Sequence, residues 1–552
     1  MMRVPAQYAT AAQTDTSMRR VVIASSLGTM FEWYDFYLVG SLATYISTAF
    51  FSGVNATAAF IFTLLSFAAG FVVRPIGAII FGRIGDMIGR KYTFLVTILI
   101  MGFATFLVGI LPTFAQIGIW APIGFVTLRC LQGLAMGGEY GGAVTYVAEH
   151  APNNRRGTWT ACIQATAIFA IVLALVIIAG VRSQVGETQF VAWGWRVPFL
   201  ISLALLTISI WIRLKLHESP AFRKMIAEGK GSKAPLRDAF GRWPNLRLVL
   251  LGTLIVAGQA VVGYTGEFYV MFFLTKTLQV DGETANMLMM TSLLISVPIF
   301  ILAGALSDVI GRKPLIVGGC LIAALTFFPL FKALTFYVNP ALAQAQQRSP
   351  IVVTADPAEC SFQFNPVGAA KFTTSCDIAK AALATLGLSY DNRIAAKGEP
   401  ASIQIGESLI QSYNGKDPQA KLAETNFRAS LRDTLHRYGY PEKANRSAIN
   451  YPMTILILVV LMLFVTMTYG PIAAMLVEMF PTQVRYTSMS LPINIGNGWF
   501  GGLLPATAFA IVATKGNIYA GLWYPVIVAS IAGIVGLLLL RETSGKDITS
   551  MS

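Results

Sequence analysis

Charged side chains are scarce. Asp, Glu, Lys and Arg make up 12% of the 552 residues, about half the share of an ordinary soluble domain, and that scarcity excludes a water-soluble globular chain. Reactive motifs are scarce too. There is no HExxH, no GxSxG and no clustered Cys/His spacing, so nothing points to a metalloprotease, an esterase or a zinc site. No GxxxxGK[ST] phosphate cradle occurs, which argues against work driven by ATP. No cofactor and no metal are expected. What the chain has in abundance is apolar length, with 55% hydrophobic residues and a mean hydropathy of +0.62.

A secretory signal does not account for the start. The apolar run after Arg19 and Arg20 is interrupted by acids and continues to Phe51, longer than an h-region of about 7–15 residues. Twelve stretches are long enough to cross a hydrocarbon core of about 30 Å as helices: 20-49, 58-81, 92-111, 117-149, 158-181, 194-216, 247-276, 286-306, 314-337, 450-477, 487-513 and 518-540. The net charge of +14 calls for no nucleic acid, because the basic residues gather in alternate short connections. Arg83, Arg90 and Lys91, Arg155 and Arg156, Arg213 to Arg247, Arg312 and Lys313, Arg485, and Arg541 with Lys546 fall on one side; only Arg182, Lys276 and Lys515 fall on the other. This positive-inside pattern predicts a multi-pass protein of the lipid bilayer, in a plasma membrane such as a bacterial inner membrane, with both termini and the 217-246 loop cytoplasmic.

Residues 338-449 break the pattern, with 12 Lys and Arg against 10 Asp and Glu and nothing that could span. Following the ninth stretch, this insert is expected outside, where long translocated segments are indifferent to the charge rule. It holds Cys360 and Cys376, a disulfide candidate in an oxidising compartment. Within it Leu422, Phe427, Leu431 and Leu435 fall at helical spacing, which predicts a packed helix in a small subdomain open to an unknown extracytoplasmic partner.

The chain also repeats itself. GRIGDMIGRK at 82-91 recurs as GALSDVIGRK at 304-313, an offset of 222; Glu149, Pro152 and Arg156 recur as Glu478, Pro481 and Arg485, an offset of 329. The offsets differ by 107, close to the length of the insert, so the chain reads as two parallel halves, the second interrupted. The expected domains are a six-helix bundle over 1-216, a cytoplasmic linker over 217-246, helices seven to nine over 247-337, the extracytoplasmic insert over 338-449, and helices ten to twelve with a tail over 450-552. Parallel six-span halves with a GxxxDxxGR[RK] loop after the second span of each resemble the major facilitator superfamily, over essentially the whole chain except the insert. The resemblance implies an all-α membrane fold of 12 helices and a transporter rather than an enzyme, its halves rocking about a site near the midplane. It also implies a cytoplasmic gate made by Gly82, Asp86, Gly89 and Arg90 in one half and Asp308, Gly311 and Arg312 in the other; an ordinary basic turn is the plainer reading.

Charges at membrane depth cost about 2.5–3.5 kcal/mol each and turn toward the bundle interior or a wet cavity. In GTMFEWYDFYLVG, Glu32 and Asp35 share one helical stripe with Ser25 and Thr29. Arg74 and Arg129 lie at similar depth, Glu139 nearer the cytoplasm and Glu267 in the outer part of the seventh span. Asp35, Glu32 and Glu139 are the proton-coupling candidates, since two close carboxylates repel when both are ionised and so favour taking up a proton. A buried ion pair with Arg74 or Arg129 that only fixes packing competes with that reading. Arg74 and Arg129 suit a substrate carboxylate. Glu267 reads equally as a second proton site, a cation contact or a hydrated residue. Asn494 and Asn497 in LPINIGNGWFGG read as substrate contacts or as helix–helix hydrogen bonds.

EWYDF at 32-36, RPIG at 74-77, RCLQGLAMGGEYGGA at 129-143, GWRVPF at 194-199 and HESPAF at 217-222 together are similar to the metabolite:proton symporter branch of that superfamily, which carries shikimate, 2-oxoglutarate, citrate, or proline and betaines. This implies inward symport of a small organic acid or zwitterion, with the proton as coupling ion. Arg196, beside Trp193 and Trp195, reads as an interfacial anchor, and His217 to Pro220 as the start of a cytoplasmic helix. The competing functions are an efflux antiporter or a uniporter of the same fold, and a membrane sensor or binding protein that uses the insert. Against efflux, Thr158 to Ala179 contains neither glycine nor proline, where antiporters of the fold carry a motif rich in both.

Overall fold

The computed structural model describes residues 6–52, 56–215, 218–361 and 372–548; His217 and the side chain of Glu32, two features singled out above, lie outside the described set. The long helices are α1 (Ala6–Ser41), α2 (Ala56–Met87), α3 (Arg90–Ile110), α4 (Trp120–His150), α5 (Arg156–Ala192), α6 (Gly194–Leu214), α7 (Trp243–Thr277), α8 (Gly282–Ile310), α9 (Arg312–Val338), α10 (Tyr451–Met479), α11 (Arg485–Val512) and α12 (Ala520–Leu539). Among the described residues, nine of them, all but α1, α2 and α4, are long and apolar enough to cross a membrane. The first predicted stretch, 20-49, is two helices, because α1 ends at Ser41 and a short helix, Ala43–Phe50, resumes after Leu42.

Local chemistry sets many of the ends. Proline occupies the first turn of α7 and α10, where its missing N–H costs nothing. Asp281 caps α8 by accepting from the Thr284 N–H at 3.0 Å, and Asn450 caps α10 through the Met453 N–H at 3.2 Å. The glycines of α4 set its distance from α2. A Cβ on Gly133 would run into the carbonyl of Gly70, so the two backbones approach as only small residues allow. Arg196 donates to the carbonyls of Gly109 and Leu111 at 2.9 and 2.8 Å and lies over the Trp195 ring, which ties the end of α3 to the start of α6.

Between α9 and α10 the all-α expectation is corrected. Strands β1 (Ile351–Ala355), β2 (Tyr390–Ile394), β3 (Ser402–Ile405) and β4 (Ser408–Gln411) form one sheet in the order β2-β1-β3-β4, with β1 parallel to β2 and antiparallel to β3. Each strand has only four or five residues, too few for period-two alternation to stand out of a polar sequence. Helix Ser375–Thr385 packs against β1, and the expected helix forms as Ala420–Arg437, with Phe427, Leu431 and Leu435 buried. Leu422, counted on the packed face above, is 61% exposed. Cys360 and Cys376 are disulfide-bonded, their Cα atoms 5.3 Å apart. This subdomain is no pendant: its buried Ile351, Ile403 and Leu431 belong to one continuous apolar core with Phe273 of α7 and Phe331 of α9. Arg446 anchors it further, on Asp281 at 2.6 Å and Glu283 at 3.0 Å. The Arg446 hydrogen bond, with help from the Thr284 N–H, holds the Asp281 carboxyl below the ordinary carboxylate range.

Candidate functional site

Two copies of one motif bind the halves together. Gly89, between α2 and α3, has φ of 132°, and Gly311, between α8 and α9, has φ of 101°, a region that favours glycine. Just before these turns stand the motif acids. Asp86 accepts from Arg90 at 2.8 Å and from the N–H groups of Tyr486 and Thr487 at 3.2 and 2.8 Å. Asp308 accepts from Arg312 at 2.7 Å and from the N–H groups of Gly157 and Thr158, both at 2.8 Å. A carboxylate there satisfies orphan donors and meets the positive end of the helix dipole. Asp86 of the first half thus seats on the start of α11 in the second, and Asp308 of the second half on the start of α5 in the first.

Glu149 and Glu478 complete the crossing. Glu149 takes Arg485 at 2.8 Å and Arg90 at 3.7 Å; Glu478 takes Arg156 at 2.8 Å and Arg312 at 3.2 Å. All six side chains are buried, in the setting where a pair is strongest and breaking it is most costly. The end of the chain enters the same cluster, the carbonyls of Lys546 and Ile548 accepting from Arg156 and Arg485 at 3.3 and 3.0 Å.

Sequence reasoning missed a third repeated element here. Glu218 accepts from the N–H groups of Arg90 and Lys91, both at 3.2 Å, and Glu542 from those of Arg312 and Lys313 at 2.9 and 3.1 Å. The next residues, Ser219 and Thr543, donate to Glu149 and Glu478. The signal, Glu followed by Ser or Thr after the last span of each half, is two residues long and recurs at an offset of 324, unlike either offset found.

Within the first half, Asp35 is buried and fully partnered. Its Oδ2 accepts from Arg129 at 2.9 Å, and its Oδ1 from Gln132 at 2.8 Å and Thr105 at 2.9 Å, while Arg129 also donates to Gln132 Oε1 at 2.6 Å. Arg129 is therefore the partner. Gln132 and Thr105 were not anticipated, although Gln132 follows Arg129 by three residues on the same helical face. Glu139 is also buried, but its partners are Arg213 at 2.8 Å and Thr97 at 2.7 Å, and it borders no cleft described below.

Between the halves lies a narrow cleft. Trp33, Arg74, Met136 and Tyr140 line it from the first half, and Tyr264, Glu267, Tyr469, Asn494 and Asn497 from the second. Arg74 donates to the Met136 sulfur at 3.3 Å and lies 4.5 Å from the Phe71 ring centroid. Glu267, expected near the outer interface, faces the same cleft as Arg74 and also borders a second one with Trp33, Tyr37 and Gln164. Wide π-helical turns present Glu267 and Asn497: Thr265–Tyr269 in α7 and Gly496–Gly501 in α11. Asn494 reaches across the halves, donating to the Gly137 carbonyl at 2.8 Å.

Both halves keep some buried polar atoms without partners among the described residues, including Gln164 Oε1 in the first half. Asp35, Arg129, Gln132 and Thr105 bind one another. In the second half, Asn497 Oδ1 and both amide atoms of the buried Gln259 have no hydrogen-bond partner among the described residues, and Glu267 makes no hydrogen bond or ion pair with any of them. Buried polar atoms without partners are costly; of these groups, Asn497 and the half-buried Glu267 line the cleft, where a ligand can reach them.

The sequence matches the family described as Sugar (and other) transporter over residues 21–238 and 436–552, on either side of α7 to α9 and most of the insert. It is 35% identical to the inner membrane metabolite transport protein YhjE of Escherichia coli (strain K12) over 345 residues, 61% of this chain and 76% of that one. It is 33% identical to the proline/betaine transporter of Salmonella typhimurium (strain LT2) over 327 residues, 57% of this chain and 65% of that one. Among solved structures, the proton:xylose symporter XylE bound to 6-bromo-6-deoxy-D-glucose superposes with a TM-score of 0.64 at 16% identity, covering 98% of this chain and 99% of that one. The chain therefore belongs to the sugar (and other) transporter family of the major facilitator superfamily: it is a multi-pass membrane transporter of small metabolites and not an enzyme.

Proposed function

We propose that the protein is a proton-coupled symporter, which brings a small organic acid or zwitterion into the cell together with a proton by alternating access. The observation that carries this reading is Asp35, a carboxylate buried at membrane depth and held by Arg129, Gln132 and Thr105. Gln132 stands one helical turn from Met136, which lines the cleft. An acid in that position is costly to keep as structure alone and is the usual form of a proton relay. Protonation of Asp35 removes the charge that holds Arg129, loosens the network beside the cleft and lets the halves move. The cargo lies between Arg74 and the unspent polar groups of α7 and α11.

In this reading α1 to α12 all cross the membrane, both termini and the 217-246 loop face the cytoplasm, and the insert faces outward in a bacterial inner membrane. The paired clusters of Asp86, Arg90, Asp308 and Arg312 are then the cytoplasmic gate, closed in this structure. Similarity to a metabolite transporter of the inner membrane and to a proline/betaine transporter supports the substrate range.

The test is uptake by proteoliposomes with an acidic exterior. Labelled zwitterion or organic acid accumulates above its external concentration, and a protonophore abolishes the accumulation. Accumulation that persists undiminished without a proton gradient overturns the proposal.

A further inference from the structure

Glu267 is the carboxylate that the coupling network leaves over. It lies on the π-helical turn Thr265–Tyr269 and borders both clefts, yet it has neither a hydrogen bond nor an ion pair among the described residues. The fully buried acids of the helices each have one: Asp35 with Arg129, Glu139 with Arg213, Glu149 with Arg485, Glu478 with Arg156. An acid at membrane depth without a partner among the described residues points to something that enters.

Its surroundings are aromatic. Tyr264 and Phe268 flank it on its own helix, their ring centroids 5.1 Å apart, and Tyr37 stacks on Phe268 at 6.5 Å with an interplanar angle of 18°. Trp33 packs on Tyr37 at 6.3 Å and borders both clefts with Glu267, and Tyr469 closes the first of them. Ring faces carry negative quadrupole charge and attract cations, above all weakly hydrated alkylammonium groups that such faces can enclose. Arg74, on the same cleft, supplies the opposite preference, a guanidinium suited to a carboxylate.

We infer that Glu267 with Trp33, Tyr37 and Tyr264 forms the subsite for the cationic end of the cargo, and that Glu267 is the residue that selects a zwitterion bearing an alkylated ammonium over a plain organic anion. The inference rests on the symport reading and narrows its cargo. Discrimination comes from differential affinity: a carboxylate meeting an uncharged alkyl group is left desolvated and unpaired, and meeting an ammonium it is satisfied.

The probes are trimethylglycine and its carbon isostere 3,3-dimethylbutyrate, which share shape and carboxylate and differ only in the ammonium charge. Their binding to the purified full-length protein is measured by calorimetry, alongside unliganded melting as a check on folding. Wild type prefers trimethylglycine by tenfold or more. Glu267→Gln reduces that preference at least tenfold by weakening trimethylglycine alone; Glu267→Asp restores part of it; Trp33→Leu weakens trimethylglycine and leaves the isostere little changed. Equal binding of the two probes to wild type, no binding of either, or an unchanged preference in a folded Glu267→Gln protein overturns the assignment. So does loss of cargo-driven proton entry in Glu267→Gln at saturating cargo, which would make Glu267 a proton carrier. Failure of the symport reading is separate, since it appears as uptake by wild type without proton entry whatever the probe preference.

Discussion

If the paired clusters are the cytoplasmic gate proposed above, replacing Glu478 by glutamine should shift the balance between its closed and open states. Glu478 accepts from Arg156 at 2.8 Å, from Arg312 at 3.2 and 3.3 Å and from Thr543 at 2.8 Å, all buried. Glutamine keeps the shape but leaves two guanidinium groups facing one neutral oxygen. Breaking a buried ion pair costs about 3–5 kcal/mol. Arg312 keeps Asp308, and Arg156 keeps Asn153 and the Ala148 carbonyl, so the lower end, about 3 kcal/mol, applies. Once the gate opens the arginines are hydrated and the cost largely vanishes. The closed-to-open ratio should therefore fall about a hundredfold, at roughly 1.4 kcal/mol per factor of ten. Met87 and Val309 are equivalent motif positions, 44% and 84% exposed. Spin labels at Met87→Cys and Val309→Cys, in a background without Cys130, Cys162 and Cys320, report the opening by pulsed electron–electron resonance. The distance distribution should gain a long component in Glu478→Gln, and by the repeat in Glu149→Gln as well. An unchanged distribution in both variants refutes the argument.

Four further outcomes follow from the geometry. Asp35→Asn should retain cargo exchange across the membrane but lose accumulation driven by pH, because Arg129 keeps Gln132 at 2.6 Å while the carboxylate is gone; near-normal accumulation would make the pair structural. Gly311→Ala should destabilise the protein by at least about 1 kcal/mol, since φ of 101° disfavours a Cβ and the Cβ would meet the Glu542 carboxylate; thermal unfolding checks it. Cys360→Ser with Cys376→Ser removes a link between residues 16 apart and should cost about 3 kcal/mol of subdomain stability, read as faster proteolysis within 351–449. The depressed Asp281 carboxyl stabilises the docked subdomain above its unfolded value of about 3.9, and that contribution is lost as pH falls through the lower folded value. Hydrogen exchange at the Asp281–Arg446 contact should therefore stay slow from pH 7 to 5 and quicken only in strong acid.

The sequence was most legible where a signal is long or doubled. Apolar runs of about 20 residues locate most of the helices, and the repeated GxxxDxxGRK located two clusters whose contacts proved reciprocal, Asp86 on α11 and Asp308 on α5. Short signals were lost. Four strands of four or five residues, even with the alternation of Ser402 to Ile405, are too short to stand out, so only a helix was read in the insert. Glu218 and Glu542 were hidden because a two-residue likeness does not rise above chance, although each caps a helix and seats the motif glycine. The cleft was half legible. Depth along a helix put Asp35 within reach of Arg74 or Arg129 without choosing between them, and it could not show that Glu267 borders the same cleft as Arg74, because no periodicity marks the π-helical turn that carries it. Which cation takes which acid is a tertiary fact: Arg213 pairs with Glu139 and Arg129 with Asp35.

The most direct test is the pH inside proteoliposomes, followed with a trapped dye, when cargo is added outside without an imposed pH gradient. If Asp35 carries a proton inward with each cargo molecule, the lumen acidifies on adding trimethylglycine in the wild type and stays flat in Asp35→Asn. Entry of labelled cargo into wild-type vesicles with no change in lumenal pH would contradict the account.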